Sequence, residues 1–359
     1  MKLISLLWLK LLFATSLLFF GCSHSEKLTS NSNKTDDGHF QNPSTFAPHK
    51  SFFRFLWMRL QTDWVDVSKA HLVPRSKVDL EKLYQPEQQQ VIWLGHSSFL
   101  LQIDGVNILT DPVFSERASP ISFMGPKRYT KPSILMKDLP VIHAVVISHN
   151  HYDHLDQDSI QEIEKRFDPL WFVPLKNGPL LQAVSVPTER IVELDWWESS
   201  IVRLGSLEAK AVFTATPAQH WSARGLFDRN EMLWSSWSIQ INKSKIFFGG
   251  DTGYNQSYFT SIGEKLGPFD LGLIPIGAYA PRDFMKYAHV SPSESVKIHN
   301  DIKCKRSLGA HWGTFPLTAE PVMDPVNELK KAVKVKQLAS NEFIAPKLGH
   351  IYLIKIEKY

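Results

Sequence analysis

Residues 148–156 read SHNHYDHLD and follow directly on the apolar run AVVI. The apolar run predicts a strand, and the polar stretch after it holds three histidines and two aspartates. His149 and His151 lie two positions apart, so on an extended segment both side chains face the same side. Asp153 and His154 come just beyond, where a turn into a following helix can direct them towards a second ion. The stretch therefore predicts a metal site in an α/β protein.

Three further candidate ligands occupy equivalent positions, each directly after a strand-like run. AVFTATPAQ leads to His220, KIFFGG to Asp251 and RSLGA to His311. Neighbouring strands bring their ends to one edge of a sheet, so these residues can converge there. Imidazole and carboxylate groups suit zinc and other borderline divalent ions. Because a carboxylate has two oxygens, Asp251 can bridge two ions, and the remaining open coordination positions indicate a catalytic rather than a structural site.

The composition predicts a protein with a large buried core. The chain has 359 residues, of which 43% are hydrophobic and 12% aromatic, and its formal net charge of +4 is too small to predict a nucleic-acid partner. From residue 91 onward, runs such as VIWLG, SFLLQID and LWFVP predict strands, while residues 159–167 and 291–302 predict helices. With no Rossmann or P-loop glycine signature, the pattern indicates an α/β sandwich in a single catalytic domain over residues 91–359.

Residues 1–21 resemble a secretory signal peptide, because a lysine at position 2 precedes a short apolar stretch. The sequence LFFGC that ends at Cys22 resembles the lipobox of bacterial lipoproteins, although Phe19 stands where an aliphatic residue is usual. The resemblance implies a membrane-anchored lipoprotein with lipid on Cys22. In a Gram-negative cell, Ser23 would favour the outer membrane, facing the periplasm. An ordinary cleaved signal and an uncleaved anchor are the alternatives.

Two segments separate this leader from the domain. Residues 22–46 are rich in Ser, Asn, Thr and Asp without apolar periodicity, which predicts a flexible lipoprotein tether. Residues 47–90 form an N-terminal aromatic and basic segment, and within it SFFRFLWMRLQTDW predicts a short helix. That helix either packs on the domain or lies at a membrane surface with its arginines near headgroup phosphates.

A series of longer stretches carries a family resemblance over about residues 91–316. The histidine and aspartate pattern resembles the metallo-β-lactamase superfamily, and the longer stretches resemble its N-acylphosphatidylethanolamine-hydrolysing phospholipase D family. These stretches occur in the family's order and include WLGHSSFLLQIDGVNILTDPVFSERASPISFMGPKRYT, ISHNHYDHLD, VELDWWE, TPAQHW, FFGGDTGY, GPFDLGLIPIGAY, PRDFMKYAHVSP and AHWGTF.

The resemblance implies an αββα sandwich with two Zn²⁺ ions per chain at its edge. By motif position, the first zinc would be held by His149, His151 and His220, and the second by Asp153, His154 and His311, with Asp251 bridging. It also implies that His289 contacts the substrate phosphate and that Asp153 positions the nucleophile. A metal-bridging hydroxide would then attack phosphorus and release N-acylethanolamine and phosphatidic acid. A phospholipid substrate, a membrane surface and a homodimer are the implied partners.

Several neighbouring residues admit two interpretations. Tyr152, inside the cluster, and Trp221, beside His220, are assigned as substrate contacts, although a tryptophan there can equally pack in the core. His96 and Asp111 can orient metal ligands or simply stabilise turns. A hydrolase of another ester, lactone or phosphodiester would share every metal ligand, and a non-enzymatic metal-binding lipoprotein is the second alternative function.

Overall fold

The structure is a computed structural model that describes residues 32–42 and 65–354. The predicted signal peptide, Cys22 and the aromatic segment SFFRFLWMRLQTDW lie outside the described residues. Within the described ranges, no helix combines the length and the apolar character needed to cross a membrane.

Two seven-stranded sheets form the centre of the domain. The first has the order β14-β1-β2-β3-β4-β5-β6, antiparallel from β14 to β3 and parallel from β3 to β6. Its strands are β1 (Gln90–Gly95), β2 (Ser98–Ile103), β3 (Val106–Thr110), β4 (Ala144–Val146), β5 (Leu170–Pro174), β6 (Ile191–Leu194) and β14 (Ile351–Leu353).

The second sheet mirrors this mixed topology. Its order is β13-β12-β11-β10-β9-β8-β7, antiparallel from β7 to β10 and parallel from β10 to β13. Its strands are β7 (Ser199–Leu204), β8 (Ala209–Thr216), β9 (Ser236–Ile241), β10 (Ser244–Phe248), β11 (Leu271–Pro275), β12 (Ser307–Ala310) and β13 (Phe343–Ile344).

The helices cover the outer faces of the two sheets. The first sheet is covered by α2 (Gln157–Phe167), whose Ile160 and Ile163 join the same apolar cluster as Val145. The second sheet is flanked by α4 (Gln256–Lys265), α6 (Pro292–Asp301) and α7 (Asp324–Val335). Of these, α6 packs on β11 and contacts both α4 and α7. Shorter helices are α1 (Leu80–Tyr84), α3 (Gly178–Gln182) and α5 (Arg282–Met285), and 3₁₀ turns span Val67–Leu72, Met136–Asp138 and Thr188–Arg190. The arrangement is the predicted αββα sandwich.

The main core lies between the sheets, where aromatic side chains from both meet. Phe172 of the first sheet stacks on Phe213 of the second with ring centroids 3.7 Å apart. In β4, Ala144 and Val146 face this core while Val145 faces α2, as the two-residue period of a strand requires. Because β4 is apolar on both faces, it fixes the position of the ligand-bearing residues that follow it.

The helix predictions are confirmed with small shifts at their ends. The helix predicted over residues 159–167 begins two residues earlier, at Gln157. The helix predicted over residues 291–302 spans Pro292–Asp301. At its start, Glu294 accepts a hydrogen bond from the backbone N–H of Ser291 at 2.9 Å, which satisfies an amide that the helix itself leaves unpaired.

The prediction of a flexible tether over residues 22–46 is wrong for the part that the structure describes. Residues 32–42 lie against the domain, with Phe40 buried in the main core. The backbone N–H of Ser32 donates to Asp195 at 3.0 Å, and that of Phe40 donates to the carbonyl of Asn230 at 2.8 Å. One aromatic side chain in an otherwise polar segment is enough to attach it, because burying a phenylalanine is worth about 2–3 kcal/mol.

The two sheets make their closest connection just before the histidine cluster. Trp237 of β9 donates its indole N–H to the carbonyl of Ile147 at 3.0 Å, and Ser235 N–H donates to the carbonyl of Ser148 at 2.9 Å. Gly250, with φ of +55°, packs so closely that an added Cβ would lie 2.4 Å from Cβ of Ser148. The loop carrying His149 therefore rests directly on the loop carrying Asp251.

Replacing Gly250 with alanine tests this connection. The positive φ costs about 1–2 kcal/mol and the forced separation of the loops about 1–3 kcal/mol more. Gly38→Ala is the matched control, because Gly38 also has positive φ but no atom within 4 Å of an added Cβ. Thermal unfolding should show a clearly larger loss of stability for Gly250→Ala than for Gly38→Ala. Equal losses would mean that the loops separate at no cost.

Candidate metal centre

The seven predicted ligands meet at one edge of the sandwich. Four strand ends supply them, as the sequence predicts, but the ends belong to both sheets rather than to one. His149 follows β4 of the first sheet, whereas His220, Asp251 and His311 follow β8, β10 and β12 of the second. The turn after His149 is closed by the N–H of His154, which donates to the carbonyl of His151 at 3.0 Å. The site thus lies where the two sheets meet.

Three histidines form the first group of the centre. Nε2 of His149 lies 2.8 Å from Nδ1 of His151, and Nε2 of His220 lies 3.3 Å from the same atom. All three ligand atoms fall within 4.8 Å of one another. This is the trio that the sequence assigns to the first ion.

The second group is built around the carboxylate of Asp153. Its Oδ2 lies 3.3 Å from Nε2 of both His154 and His311. His96 joins the group, with Nε2 2.9 Å from the same oxygen and its ring 4.1 Å from that of His311. The sequence left open whether His96 orients ligands or only stabilises a turn. Its contact with Asp153 assigns it to the orientation of the second group.

Asp251 lies between the two groups. Its Oδ2 is 3.2 Å from Nε2 of His154 and of His311, 3.8 Å from Nε2 of His220 and 4.0 Å from Nε2 of His149. Its other oxygen, Oδ1, is buried without a hydrogen-bond partner. A single carboxylate therefore faces members of both groups, which is the geometry expected of a bridging ligand.

Hydrogen bonds to the Nδ1 atoms, on the side of each ring away from the centre, fix the orientation of three imidazoles. Asp111, fully buried, accepts at Oδ2 from Nδ1 of His154 and from the hydroxyl of Ser148, both at 2.6 Å. The Ser148 hydroxyl in turn lies 2.9 Å from Nδ1 of His149, and the carbonyl of Ala288 lies 2.9 Å from Nδ1 of His220. With these Nδ1–H groups engaged, the Nε2 lone pairs face the centre, as metal binding requires.

The structure thus assigns Asp111 to ligand orientation, which the sequence left open. The role of Ser148 was not predicted. The signal for it is only its place between the strand and His149, which many serines share without such a role.

Burial and mutual repulsion keep several of the histidines neutral. Burial, together with the other imidazoles, holds the pKa of His149 well below its ordinary value and lowers the pKa of His151 to about 3. Burial also lowers the pKa of His220 to about 4. Neutral imidazoles are the form that binds a metal ion, so the first group needs no proton removed at neutral pH.

The second group has the opposite electrostatic character. Burial acts against charge there, yet Asp251, Asp153 and Asp111 raise the pKa of His154 well above its ordinary value. The same carboxylates Asp251 and Asp153 overcome burial to raise the pKa of His311 to about 9. Both carboxylates are held ionised in return, since the imidazoles keep the pKa of Asp153 and of Asp251 well below the usual range despite burial. Binding of a metal ion by this group would therefore release protons from His154 and His311.

The donor set fits divalent metal ions. Buried ligand-type atoms of the centre without a hydrogen-bond partner include Nε2 of His154, Oδ1 of Asp251 and Nδ1 of His289. Leaving such atoms unpaired in the interior is costly unless an ion satisfies them. Imidazole nitrogens with a few carboxylate oxygens are the ligands preferred by zinc and neighbouring transition metals.

The predicted substrate contacts lie on the rim of the centre. His289 has Nδ1 3.8 Å from Oδ2 of Asp251, beside His220 and His311. Trp221 meets the ring of His151 edge-on at 4.2 Å, so it is a wall of the site rather than a core residue. Tyr152 donates its hydroxyl to the carbonyl of Arg224 at 2.9 Å and lines a neighbouring cavity. Their contact with substrate stays a prediction.

Two basic residues near the centre have partners within the protein. Arg224 donates to the carbonyls of Asn150 and Leu155, each at 2.8 Å, and its guanidinium stacks on the ring of Tyr152. It therefore stabilises the loop around the centre rather than lying as a solvated surface charge. Lys127 forms an exposed ion pair with Glu116 at 3.2 Å.

Comparison with known proteins assigns the superfamily. The family described as "Beta-lactamase superfamily domain" matches residues 106–312. This range includes all seven predicted ligands, from His149 to His311. Among solved structures, isothiocyanate hydrolase from Delia radicum gut bacteria superposes with a TM-score of 0.57 at 16% identity, covering 74% of this chain and 100% of that one. The fold and the centre define a metal-dependent hydrolase of the metallo-β-lactamase superfamily.

Two sequence relatives narrow the assignment. N-acyl-phosphatidylethanolamine-hydrolyzing phospholipase D 1 of Caenorhabditis elegans is 42% identical over 267 residues, which are 72% of this chain and 74% of that protein. The mitochondrial enzyme of the same name from Saccharomyces cerevisiae is 38% identical over 240 residues, which are 66% of this chain and 50% of that protein. The chain belongs to the N-acylphosphatidylethanolamine-hydrolysing phospholipase D family.

The role of Asp111 can be tested by Asp111→Asn. An amide offers one acceptor oxygen where the carboxylate accepts from Ser148 and His154, so His154 should lose its fixed orientation. Metal affinity should fall by about 10–100-fold, as is typical for partners of metal-ligating histidines. Asp104→Asn is the matched control, because Asp104 also has positive φ but bonds Gln89 and Asn242 in a turn between β2 and β3. Metal titration that shows equal affinity for both variants would contradict this role.

Proposed function

We propose that the protein is a zinc-dependent phosphodiesterase that hydrolyses N-acylphosphatidylethanolamine or related phospholipids. The observation that carries the proposal is Asp251, which lies between two groups of ligands in a chain 42% identical to the C. elegans phospholipase D. Water would add to phosphorus while the bond from phosphorus to the headgroup oxygen breaks. The products would be N-acylethanolamine and phosphatidic acid.

The two groups of ligands would hold two zinc ions per chain. His149, His151 and His220 would form one shell, Asp153, His154 and His311 the other, and Asp251 would join them. Such an ion pair supplies a deprotonated water near neutral pH and neutralises the charge of the phosphodiester. The protein would set the position of the ions, because hydrogen bonds to Ser148, Asp111 and the carbonyl of Ala288 orient His149, His154 and His220.

Asp153 and His289 have distinct proposed roles. Asp153 is ionised and hydrogen-bonded to His96, so it is fixed in position to orient the attacking water and to accept a proton. Burial lowers the pKa of His289 well below its ordinary value, so at neutral pH its imidazole is uncharged and keeps one N–H donor. That donor can bind a phosphoryl oxygen whose charge grows during the reaction.

The direct test is turnover of N-acylphosphatidylethanolamine in mixed micelles, with products identified by mass. Phosphatidic acid and N-acylethanolamine should appear together, and removal of the metal by a chelator should stop the reaction. Hydrolysis of a lactone or another ester, with none of the phosphodiester, would move the assignment to a different hydrolase of the superfamily.

In the same assay, His289→Ala should separate substrate binding from metal binding. It should keep its metal content and lose about 10²–10³-fold in turnover, the usual cost of one transition-state hydrogen-bond donor. His151→Ala should lose both metal and activity, whereas His71→Ala, at an exposed histidine of the Val67–Leu72 turn, should change neither. If His289→Ala releases metal instead, His289 is a ligand, and the proposed second shell is wrong.

The sequence before the described residues supports attachment to a membrane. We propose that the mature chain begins at Cys22 and carries lipid there, and that it faces the periplasm from the outer membrane. The proposed zinc content and the homodimer implied by the family resemblance likewise stay predictions.

Replacement of Cys22 with alanine should abolish incorporation of labelled fatty acid. Cys304→Ala is the control, since Cys304 is a buried free thiol and should have no part in lipidation. Labelling of the Cys22→Ala variant at the level of the unaltered protein would refute the lipoprotein assignment.

A further inference from the structure

Two loops expose large apolar side chains almost completely to solvent. In the loop of residues 119–126, Phe123 is 79% and Met124 58% exposed. In the loop of residues 223–230, Leu226 is 91% and Phe227 90% exposed. Side chains of this size at adjacent positions, twice in one chain, indicate a surface that is covered in use.

Both loops line a cavity next to the histidine loop. Residues of each, among them Ser119, Pro120 and Arg224, line one cavity of about 720 Å³ together with Tyr152. Tyr152 follows His151 directly in the chain and donates its hydroxyl to the carbonyl of Arg224. Both loops therefore meet around a cavity that is also lined by the residue between His151 and Asp153.

A second path of contacts links the 223–230 loop to the first group of ligands. The guanidinium of Arg229 lies 4.3 Å from the ring centre of Trp221, which meets His151 edge-on. Phe227 is two residues before Arg229. A surface that receives Phe227 would therefore lie next to the opening of the metal centre.

The N-terminal segment joins the domain at this same edge. Asn42 donates from Nδ2 to the carbonyl of His220 at 2.8 Å, and Phe40 is bonded to Asn230 of the 223–230 loop. At its other end, Ser32 is bonded to Asp195, directly after β6. Ten residue steps separate Cys22 from Ser32, so a membrane anchor at Cys22 would lie within about 36 Å of this edge.

We propose that the tips of the 119–126 and 223–230 loops insert into a phospholipid bilayer and hold the metal centre against its surface. The apolar residues are divided between two loop tips, and Arg117 and Arg229 lie close to those tips in the chain. This combination suits the apolar layer and the phosphates of a lipid surface. The choice of a bilayer over a protein partner rests on the proposed function, because a diacyl phospholipid is presented only in such a surface.

The test uses a polarity-sensitive fluorophore on a cysteine introduced by Phe227→Cys in the full chain. Leu207→Cys is the matched control, because Leu207 is 74% exposed but lies before β8, at the end opposite to His220. Cys22→Ala in both variants leaves the buried Cys304 as the only native thiol. Adding vesicles of phosphatidylcholine and phosphatidylglycerol should shift the emission to the blue and allow quenching by nitroxide lipids at position 227 only.

A charge at the tip should weaken the same contact. The double variant Phe123→Asp with Phe227→Asp should bind vesicles about 10–100-fold more weakly, because two aromatic side chains no longer enter the apolar layer. This variant should keep its metal content and its turnover of a water-soluble phosphodiester, while turnover of vesicle substrate falls. Leu207→Asp should change none of these quantities.

The outcomes separate this inference from the proposed function. A label at position 227 that stays in water with vesicles present, or responds no more than the label at position 207, overturns the inference and points to a protein partner. The vesicles contain no N-acylphosphatidylethanolamine, so the fluorescence result does not depend on catalysis. Insertion at position 227 without any phosphodiesterase activity would support the inference and contradict the proposed function.

Discussion

The buried carboxylate of Asp251 is the group on which the centre depends. It lies within 4.0 Å of a nitrogen of His149, His154, His220, His289 and His311, and its negative charge stabilises the protonated forms of His154 and His311. Charged groups are tolerated in the interior only when they are paired or bind an ion. Because Asp251 follows β10 and His149 follows β4, the same carboxylate also joins the two sheets electrostatically at their common edge.

This arrangement requires unusual backbone geometry. His96, Asp111 and His311 have φ of 54°, 32° and 58°, and Ala278 has 60°, values that cost residues other than glycine about 1 kcal/mol or more each. Hydrogen bonds fix these conformations, since His311 N–H donates to the carbonyl of His96 at 3.1 Å and His96 N–H to Thr314 at 2.7 Å. These hydrogen bonds offset the cost of the strained backbone that directs His96, Asp111 and His311 towards the metal centre.

The ligand set could be predicted from sequence because each ligand follows a recognisable strand. Asp111 and Ser148 could not be assigned with the same certainty, since their roles depend on hydrogen bonds across loops that no local pattern encodes. The attachment of residues 32–42 was missed for a similar reason: a polar composition predicts mobility, but Phe40 finds a site in the core that only the folded domain provides. Nor does any local pattern show that Arg224 donates to backbone carbonyls of the histidine loop.

The strands of the core hold the backbone of the candidate ligands, and the predicted substrate contacts lie in the loops that follow. Tyr152 lies between His151 and Asp153, Trp221 directly follows His220, and His289 lies in the loop before α6. The two parts are nevertheless coupled, because the carbonyl of Ala288 binds Nδ1 of His220 while the next residue, His289, faces the site. A change in the loop before α6 that moves His289 would therefore also disturb the hydrogen bond that orients His220.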